Sequence, residues 1–278
     1  MNDSVITVKD VQFSYPGGVK ALEGVSFRIS KGERVALLGP NGSGKSTIML
    51  LMAGLLIPQK GEVKVFDVPT SSKEFKILRQ KIGVVFQDPD DQLFNQSVTE
   101  DIKYGPRNLG LPEHEVQKIF EHVVKVMDIN HLKDRQPHRL SFGEKKKVSL
   151  ATSLIMNPEL LILDEPTANL DLVSRRNLID TLNRLNGRGT TLVTSTHDVE
   201  ALPELADRVI VISQGSTRGE GKTNEVLQDF NLLESAGLEP PAMVRLFTGL
   251  RSIGLIHDVP IEVEEGRDIL ANLIRRTT

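Results

Sequence analysis

Cysteine is absent from this 278-residue chain, so neither disulfides nor thiolate metal sites are possible, which is compatible with a reducing cytoplasm. Long apolar runs are absent too. The longest one covers residues 48–57 and contains Gly54, and it falls well short of the roughly 20 residues that a membrane-spanning helix needs. The first residues, Met1 to Ser4, show no basic segment followed by an apolar run, so we expect no signal peptide.

An excess of charge of one sign is also lacking. The 34 Lys and Arg residues nearly balance the 37 Asp and Glu residues, and the net charge is −3. Such a balanced surface does not favour nucleic acid as a partner. The apolar content of 39% and the charged content of 26% are typical of a globular protein. The length suits one large domain, alone or with a small appendage.

The sequence patterns predict an α/β fold. Residues 5–8, 11–13 and 21–29 are β-branched or alternating, with turn residues at 15–18, and they predict an N-terminal antiparallel β subdomain. Strands and helices then alternate, which indicates a parallel sheet covered by helices. Further strands are predicted at residues 34–38, 82–86, 160–163, 191–194 and 209–213, and an amphipathic helix at 113–128. The pattern changes near Gln228, which divides the chain into a main domain, residues 1–228, and a C-terminal appendage, residues 229–278.

A glycine-rich segment between a strand and a helix matches the phosphate-loop pattern in full. Its residues are Gly39, Pro40, Asn41, Gly42, Ser43, Gly44, Lys45, Ser46 and Thr47. The glycines let backbone N–H groups approach a polyanion, and the following helix directs its positive end at the phosphates. Lys45 is expected to contact the β- and γ-phosphates, and the hydroxyl of Ser46 is expected to bind Mg²⁺. A glycine-rich turn that binds nothing is a poor alternative, because both the residues and their context fit.

Two carboxylates end an apolar strand about 120 residues further along the chain. Asp164 and Glu165 directly follow the apolar residues 160–163, and ligands of open α/β sheets collect at the carboxyl ends of the strands. Asp164 is expected to hold Mg²⁺, directly or through water. Glu165 is expected to polarise the water that attacks the γ-phosphate.

A glutamine and a histidine follow two other predicted strands. Gln87 comes after residues 82–86, where its amide can contact both Mg²⁺ and the attacking water. His197 follows residues 191–194, where its imidazole can donate to the γ-phosphate and to that water. Taken alone, each residue would be interpreted as an ordinary surface side chain, and only the neighbouring motifs favour a catalytic interpretation.

Residues 140–144, Leu-Ser-Phe-Gly-Glu, resemble the signature motif of the ATP-binding-cassette ATPases. The resemblance covers roughly residues 4–225 and implies a phosphate-loop NTPase core sheet, a helical signature subdomain, and ATP hydrolysis by paired chains. It implies that Ser141 and Gly143 contact the γ-phosphate held by the other chain. Tyr15 matches the aromatic residue that stacks on adenine. Gln87, residues 168–171 and His197 match the family's Q-loop, D-loop and switch histidine.

The signature segment departs from the family pattern in two residues. Phe142 replaces the usual Gly, and Glu144 replaces the usual Gln; in the D-loop, Ala168 replaces the usual Ser. The spacing of Ser141 and Glu144 matches a capping box, with Ser at the N-cap and Glu at the third helical position. We therefore expect Glu144 to bond the backbone of Ser141 at the start of a helix that runs to Met156.

A narrower resemblance concerns residues 86–94, Phe-Gln-Asp-Pro-Asp-Asp-Gln-Leu-Phe, and residues 104–106, Tyr-Gly-Pro. They look like segments of the energy-coupling-factor importers, particularly the cobalt and nickel branch. This resemblance implies a peripheral subunit on the cytoplasmic face of the cell membrane that energises import of cobalt, nickel or a vitamin-type micronutrient. Its implied partners are a second ATPase chain, identical or closely related, a transmembrane coupling protein, and a substrate-binding membrane subunit. The loop after Gln87 would receive the coupling protein.

Other functions remain open at this point. The chain could serve another class of cassette transporter, or it could be a soluble cassette ATPase without a transport role. Only about fifty residues separate Gln87 from Leu140, too few for the long coiled-coil insertion that such soluble proteins often carry. A phosphate-loop kinase is disfavoured by the signature segment and by His197. The appendage could strengthen dimer contacts or sense a ligand, but a packing extension is the favoured interpretation.

Overall fold

The computed structural model describes residues 4–277. Residues 1–3, on which the signal-peptide expectation partly rests, and the outer ends of the two predicted domains lie outside this range. Two β-sheets and the helices around them form the described part of the chain, and the predicted α/β class is confirmed. Within residues 4–277, no helix has both the length and the apolar character needed to cross a bilayer.

The N-terminal sheet is antiparallel. Its strands are β1 (Ser4–Tyr15), β2 (Val19–Ser30), β4 (Lys60–Val65) and β5 (Val68–Pro69), in the order β2-β1-β4-β5. Two separate segments were predicted over residues 5–13, but the structure has one strand there, with an irregular register between Val8 and Val11. Asp10 takes a positive φ of 48° at this point. The chain therefore bulges without leaving the sheet.

The main sheet has the predicted parallel core. Its strands are β3 (Arg34–Leu38), β6 (Ile82–Val85), β7 (Leu160–Leu163), β8 (Thr191–Thr196), β9 (Arg208–Ser213) and β10 (Ser216–Lys222). They lie in the order β10-β9-β3-β8-β7-β6, with β10 antiparallel to β9 and the neighbouring pairs among the other strands parallel. Gln214 and Gly215 form the turn between β9 and β10 with positive φ values of 51° and 70°, as a tight hairpin requires.

The helices cover this sheet and extend to the C-terminal part of the chain. They are α1 (Lys45–Met52), α2 (Phe75–Leu78), α3 (Val98–Asn108), α4 (Glu113–Val126), α5 (Phe142–Leu154), α6 (Leu172–Asn186), α7 (Leu202–Leu205), α8 (Thr223–Gln228), α9 (Phe230–Ser235), α10 (Ala242–Ser252) and α11 (Val263–Thr277). Helix α4 was predicted to reach Asp128 but ends at Val126. Asp128 adopts a left-handed backbone with φ of 52°, a conformation that commonly ends helices.

Strand β7 is apolar throughout because both of its faces are buried. Leu160 and Ile162 belong to the core shared with the N-terminal sheet and α1, whereas Leu161 and Leu163 belong to the core shared with α3 to α6. Side chains alternate between the two faces of a strand. Charged residues are therefore excluded from the strand interior and occur only beyond its two ends.

The C-terminal helices share a core with the main sheet. Leu38 of β3 and Val211 of β9 lie in the same buried cluster as Leu233 of α9 and Phe247 of α10. Val259, in the segment between α10 and α11, is also buried in that cluster. The residues of the predicted appendage are thus packed against strands of the main domain.

A prediction concerns Gly61, which lies in β4 beside the bulge of β1. Its φ is +77°, and a Cβ there would lie 2.3 Å from the carbonyl oxygen of Asp10 and 2.4 Å from that of Lys9. We expect G61A to lower the free energy of unfolding by about 2 to 6 kcal/mol, from backbone strain and steric overlap together. Urea unfolding of the full-length chain measures the change.

The matched control is G24A in β2. Gly24 has a similar φ of +86°, but open space surrounds the position of its Cβ. This variant should show the backbone strain alone, about 1 to 3 kcal/mol. Equal destabilisation of G61A and G24A would contradict the close approach of Gly61 to the carbonyl groups of Lys9 and Asp10 in the bulge.

Candidate functional site

The phosphate-loop residues connect β3 to α1 and are held against two neighbouring strands. The N–H of Gly39 donates to the carbonyl of Thr196, at 3.2 Å, at the end of β8. A Cβ on Gly39 would lie 2.0 Å from the carbonyl oxygen of Ile212 in β9, so no other residue fits here. Gly44 has φ of +105° immediately before α1. The loop is therefore anchored at the carboxyl edge of the main sheet, where the sequence predicts it.

Two buried polar groups of this loop lack a full set of partners. Lys45 is only 6% exposed, and its Nζ donates to the carbonyl oxygens of Gly39 and Pro40 at 2.7 and 3.0 Å. The hydroxyl of Ser43 is buried and has no hydrogen-bond partner among the described residues. Burial lowers the pKa of Lys45, and the negative charges of Glu165 and Asp164 oppose this effect. Unpaired donors around a buried ammonium fit a polyanion such as a triphosphate.

Tyr15 lies beside the same helix start. Its hydroxyl is 3.2 Å from the Oγ1 of Thr47, and its ring packs edge-on against Phe13 with centroids 5.1 Å apart. The side chain stays partly exposed. Asn41, Gly42 and Ser46 are exposed as well. Tyr15 thus borders the phosphate loop with part of its ring surface free for a planar ligand.

The carboxylates Asp164 and Glu165 follow β7 beside the loop. Asp164 accepts a hydrogen bond from the hydroxyl of Ser195, and that hydroxyl also accepts from the N–H of Glu165 at 3.0 Å. The sequence analysis missed Ser195. Its position carried a signal, because β7 and β8 are parallel and Leu163 pairs with Thr194. A hydroxyl one residue further must then lie beside Asp164.

His197 contacts Glu165 directly. Its Nδ1 is 2.7 Å from the Oε1 of Glu165, and Glu165 is 6% exposed whereas the imidazole is about half exposed. Because this contact occupies one ring nitrogen, the other remains available to a ligand. Lys45, Asp164, Glu165 and His197 are therefore gathered at one edge of the sheet, as predicted.

Gln87 lies in the loop after β6, and its side chain is exposed. The loop itself is held by Gln92, whose Oε1 accepts from the N–H of Phe86 at 3.3 Å. The amide nitrogen of Gln92 donates to the carbonyl of Ser149 and to the Oγ1 of Thr152 in α5, at 2.8 and 2.7 Å. The backbone around Gln87 is thus attached to α5. The role of Gln92 was not recognised from the sequence.

Ser141 and Gly143 lie at the start of α5, and the atoms nearest to a Cβ on Gly143 belong to Ser174 and Leu170 rather than to the phosphate loop. The predicted capping box is confirmed. The N–H of Glu144 donates to the Oγ of Ser141 at 3.3 Å, and the N–H of Ser141 donates to the Oε2 of Glu144 at 2.7 Å. The helix ends at Leu154, two residues before the predicted end.

The oxygen donors near the loop suit a hard cation that is bound mainly by phosphate. Within residues 4–277, no group of three or more His, Cys, Asp or Glu side chains could hold a metal by itself. Mg²⁺ in nucleotide sites commonly takes only one or two protein ligands and completes its shell with phosphate and water. The hydroxyl of Ser46, the carboxylate of Asp164 and the amide of Gln87 are donors of this kind.

Comparison with known proteins places this geometry in a family. The model of the ABC transporter family matches residues 22–168. The chain is 42% identical to the energy-coupling factor transporter ATP-binding protein EcfA of Methanothermobacter thermautotrophicus, over 97% of this chain and 88% of that protein. It is 43% identical to the cobalt import ATP-binding protein CbiO of Rhodobacter capsulatus, over 87% of each chain.

A solved structure is similar as well. The structure of cbiO1 from Clostridium perfringens, described as part of the ABC transporter complex cbiONQ, matches with a TM-score of 0.75 and 38% identity. The match covers 89% of this chain and all of that one. Similarity therefore extends beyond the region of the family model in both directions.

The capping box leads to a prediction about acid stability. The bond from the Ser141 backbone, more than the charge of Arg135, lowers the pKa of Glu144 below its ordinary 4.5. The stabilisation is therefore present near neutral pH and is lost as the pH falls through the lowered pKa. We expect E144Q to keep the capping box at pH 7, because Gln accepts the same bond. Urea unfolding from pH 7 to pH 3 should show wild type losing stability relative to E144Q below about pH 4.5. A constant difference at all pH values would contradict this assignment.

Proposed function

The chain belongs to the ABC transporter family, and on this premise we propose that it is the ATP-binding and ATP-hydrolysing subunit that energises an importer of the energy-coupling-factor type. The observation that carries the ATPase function is the gathering of Lys45, Asp164, Glu165 and His197 at one sheet edge. The similarity to EcfA and CbiO proteins supports the importer class. The transported solute would be cobalt, nickel or a vitamin-type micronutrient, selected by a membrane subunit.

Hydrolysis would use residues of this chain in distinct roles. Lys45 and backbone N–H groups of the phosphate loop would bind the phosphates, and Tyr15 would stack on adenine. Glu165 would orient the attacking water with Gln87. His197, which contacts the Glu165 carboxylate at 2.7 Å, would hold that carboxylate in place and donate to the γ-phosphate.

Mg²⁺ would accompany the nucleotide. Ser46, Asp164 and Gln87 are the residues proposed to hold it, because they supply hard oxygen donors at the carboxyl edge of the main sheet. The ion would neutralise charge on the β- and γ-phosphates when bound. The hydrogen bond from Ser195 to Asp164 would keep that carboxylate turned toward the ion.

A second ATPase chain would complete the site. Ser141 is exposed, and Gly143 borders α6 rather than its own phosphate loop. We propose that both residues contact the γ-phosphate bound by the partner chain, so that two ATP molecules lie between two chains. The structure of α5 suits this role, because its capped N-terminus presents a positive dipole end to an anion.

The surface near Gln87 suits a membrane partner. Phe94 and Tyr104 are exposed by 64% and 46% and pack edge-to-face with centroids 4.9 Å apart. Exposed aromatic pairs are typical of interface anchors. We propose that this pair receives the coupling protein, which would place the chain peripherally on the cytoplasmic face of the membrane.

We propose that residues 1–228 form the ATP-binding cassette domain and that residues 229–278 form an appendage that packs against it. The burial of Leu233, Phe247 and Val259 with strands of the main sheet supports this proposal. A contribution to dimer contacts is the alternative, and it is favoured by the exposed Leu246 and Ile253 of this segment.

Glu165 provides the test of the ATPase mechanism. We expect E165Q to lower kcat by about 10²- to 10⁴-fold, because the general base is lost, while Mg-ATP still binds. The matched control is E159Q at the opposite end of β7, where Glu159 pairs with Lys81 at 2.8 Å on the surface. Its turnover should equal that of wild type. Unchanged turnover in E165Q would disprove the role given to Glu165.

The aromatic pair provides the test of the importer class. We expect F94A to reduce association with the native membrane subunits by about tenfold and to leave ATP binding unchanged. The control is I77A, which removes an equally exposed apolar side chain from α2. Affinity purification from membranes, followed by identification of the subunits, gives the result. Recovery of the wild-type chain away from membranes would favour a soluble cassette ATPase, and recovery with other membrane subunits would favour another transporter class.

A further inference from the structure

Lys146 of α5 is a buried charge that the mechanism above does not use. It is 3% exposed. Its Nζ donates to the carbonyl oxygen of Glu165 at 3.3 Å and to that of Phe86 at 3.4 Å. Phe86 precedes Gln87 in the chain. One ammonium group thus contacts the backbone of Glu165 and the backbone of the residue before Gln87. Glu165 and Gln87 are the two residues proposed to orient the attacking water.

The backbone of Glu165 needs such support. Its φ is +46°, which is a left-handed conformation that costs free energy for a residue other than glycine and persists only where the surroundings enforce it. The N–H of Glu165 donates to the Oγ of Ser195 at 3.0 Å, and its carbonyl accepts from Lys146. The strained peptide units are therefore held on both sides, by β8 and by α5.

Phe142 covers the same ammonium group. Its ring centroid lies 5.8 Å from the Nζ of Lys146, within the range of a cation–π contact. Phe142 is also one of the two residues of the signature segment that depart from the family's pattern. The contact gives this departure a physical reason, because the ring shields the ammonium from solvent.

The charges around Lys146 are acidic. Burial lowers the pKa of Lys146 to about 8, and the charges of Asp164, Asp88 and Glu165 oppose this effect. The group stays mainly protonated at neutral pH. A protonated amine offers three donors, and two of them go to the carbonyls of Glu165 and Phe86.

From these contacts we propose that Lys146, covered by Phe142, is a positioning residue for ATP hydrolysis. It fixes the backbone positions of Glu165 and of the Gln87 loop relative to each other. The proposal rests on the proposed function, in which both residues orient the attacking water. Lys146 touches neither nucleotide nor water in this scheme. It acts through two backbone carbonyls. It links α5, the signature helix that begins at the signature segment, to the hydrolytic residues of its own chain.

The first experiment compares K146M with K103M in the full-length chain. Lys103 of α3 is also buried, is 6% exposed, and lies 5.0 Å from the ring centroid of Phe120, but its hydrogen bonds go to Glu113 and Gln117 of α4. Both variants replace a buried, ring-covered ammonium by an apolar chain of similar length. We expect K146M to lower kcat by about 10- to 100-fold with little change in KM for ATP. K103M should leave kcat unchanged at a temperature where both variants are folded by circular dichroism.

The second experiment restores the ammonium. The chain contains no cysteine, so the introduced thiol of K146C is the only thiol that 2-bromoethylamine can alkylate, and the product is a side chain that closely mimics lysine. The reaction is carried out in denaturant and followed by refolding, with wild type treated identically. We expect aminoethylated K146C to recover most of the wild-type kcat, whereas K146C alkylated with the neutral iodoacetamide should not.

Two results would overturn the inference. One is a kcat for K146M equal to that of K103M, and the other is equal recovery with the charged and neutral alkylating agents. E165Q separates this failure from failure of the proposed function. If E165Q is inactive while K146M is fully active, only the positioning role is wrong. If E165Q turns over ATP like wild type, the hydrolytic mechanism itself is wrong.

Discussion

The candidate site depends on the parallel pairing of β3, β8 and β7. Leu38 pairs with Thr196, and Leu163 pairs with Thr194, so the three strands end at nearly the same level. The segments that follow them carry the phosphate loop, His197 and the two carboxylates. Because a shift of one residue would turn side chains to the opposite face of the sheet, this register decides whether Lys45 and Glu165 can act on one ligand.

Hydrogen bonds between the groups gathered at this edge explain how charged side chains are tolerated in a buried position. Glu165 and Lys45 are each 6% exposed, and burying an isolated charge is costly unless it is paired or hydrogen-bonded. Glu165 is hydrogen-bonded to His197, and Lys45 is bonded to loop carbonyls while burial lowers its pKa and the two carboxylates offset part of that lowering. The unpartnered hydroxyl of Ser43 is the remaining cost, which a bound phosphate would remove.

A second constraint links this edge to α5. Gln92 bonds the Gln87 loop to the backbone of α5, and Lys145 bonds Asp90 of the same loop at 2.6 Å. Lys146 extends this attachment to Glu165. The signature helix and the Gln87 loop are therefore joined by several independent bonds. A displacement of α5 would therefore move the loop that carries Gln87. Coupling between a nucleotide site and a partner surface needs such a shared structural element.

The sequence alone was sufficient for the elements whose signals are local. The glycine spacing of the phosphate loop, the apolar run of β7 and the box formed by Ser141 and Glu144 each depend on neighbouring residues, and the structure has each as predicted. Backbone conformation and helix capping are short-range effects. The bulge in β1 and the early end of α4 were missed because Asp10 and Asp128 adopt left-handed backbones that tertiary packing permits.

Only the tertiary structure decided which distant residues meet. Ser195 bonds Asp164 and Glu165, Gln92 reaches α5, and Lys146 bonds Glu165. In the sequence, the lysine at 146 is one of three in a row, and no local pattern distinguishes it from its two neighbours. Its burial follows from the packing of α5 against the Gln87 loop and the end of β7, since contacts between residues far apart in the chain depend on the assembled sheet and not on local propensity.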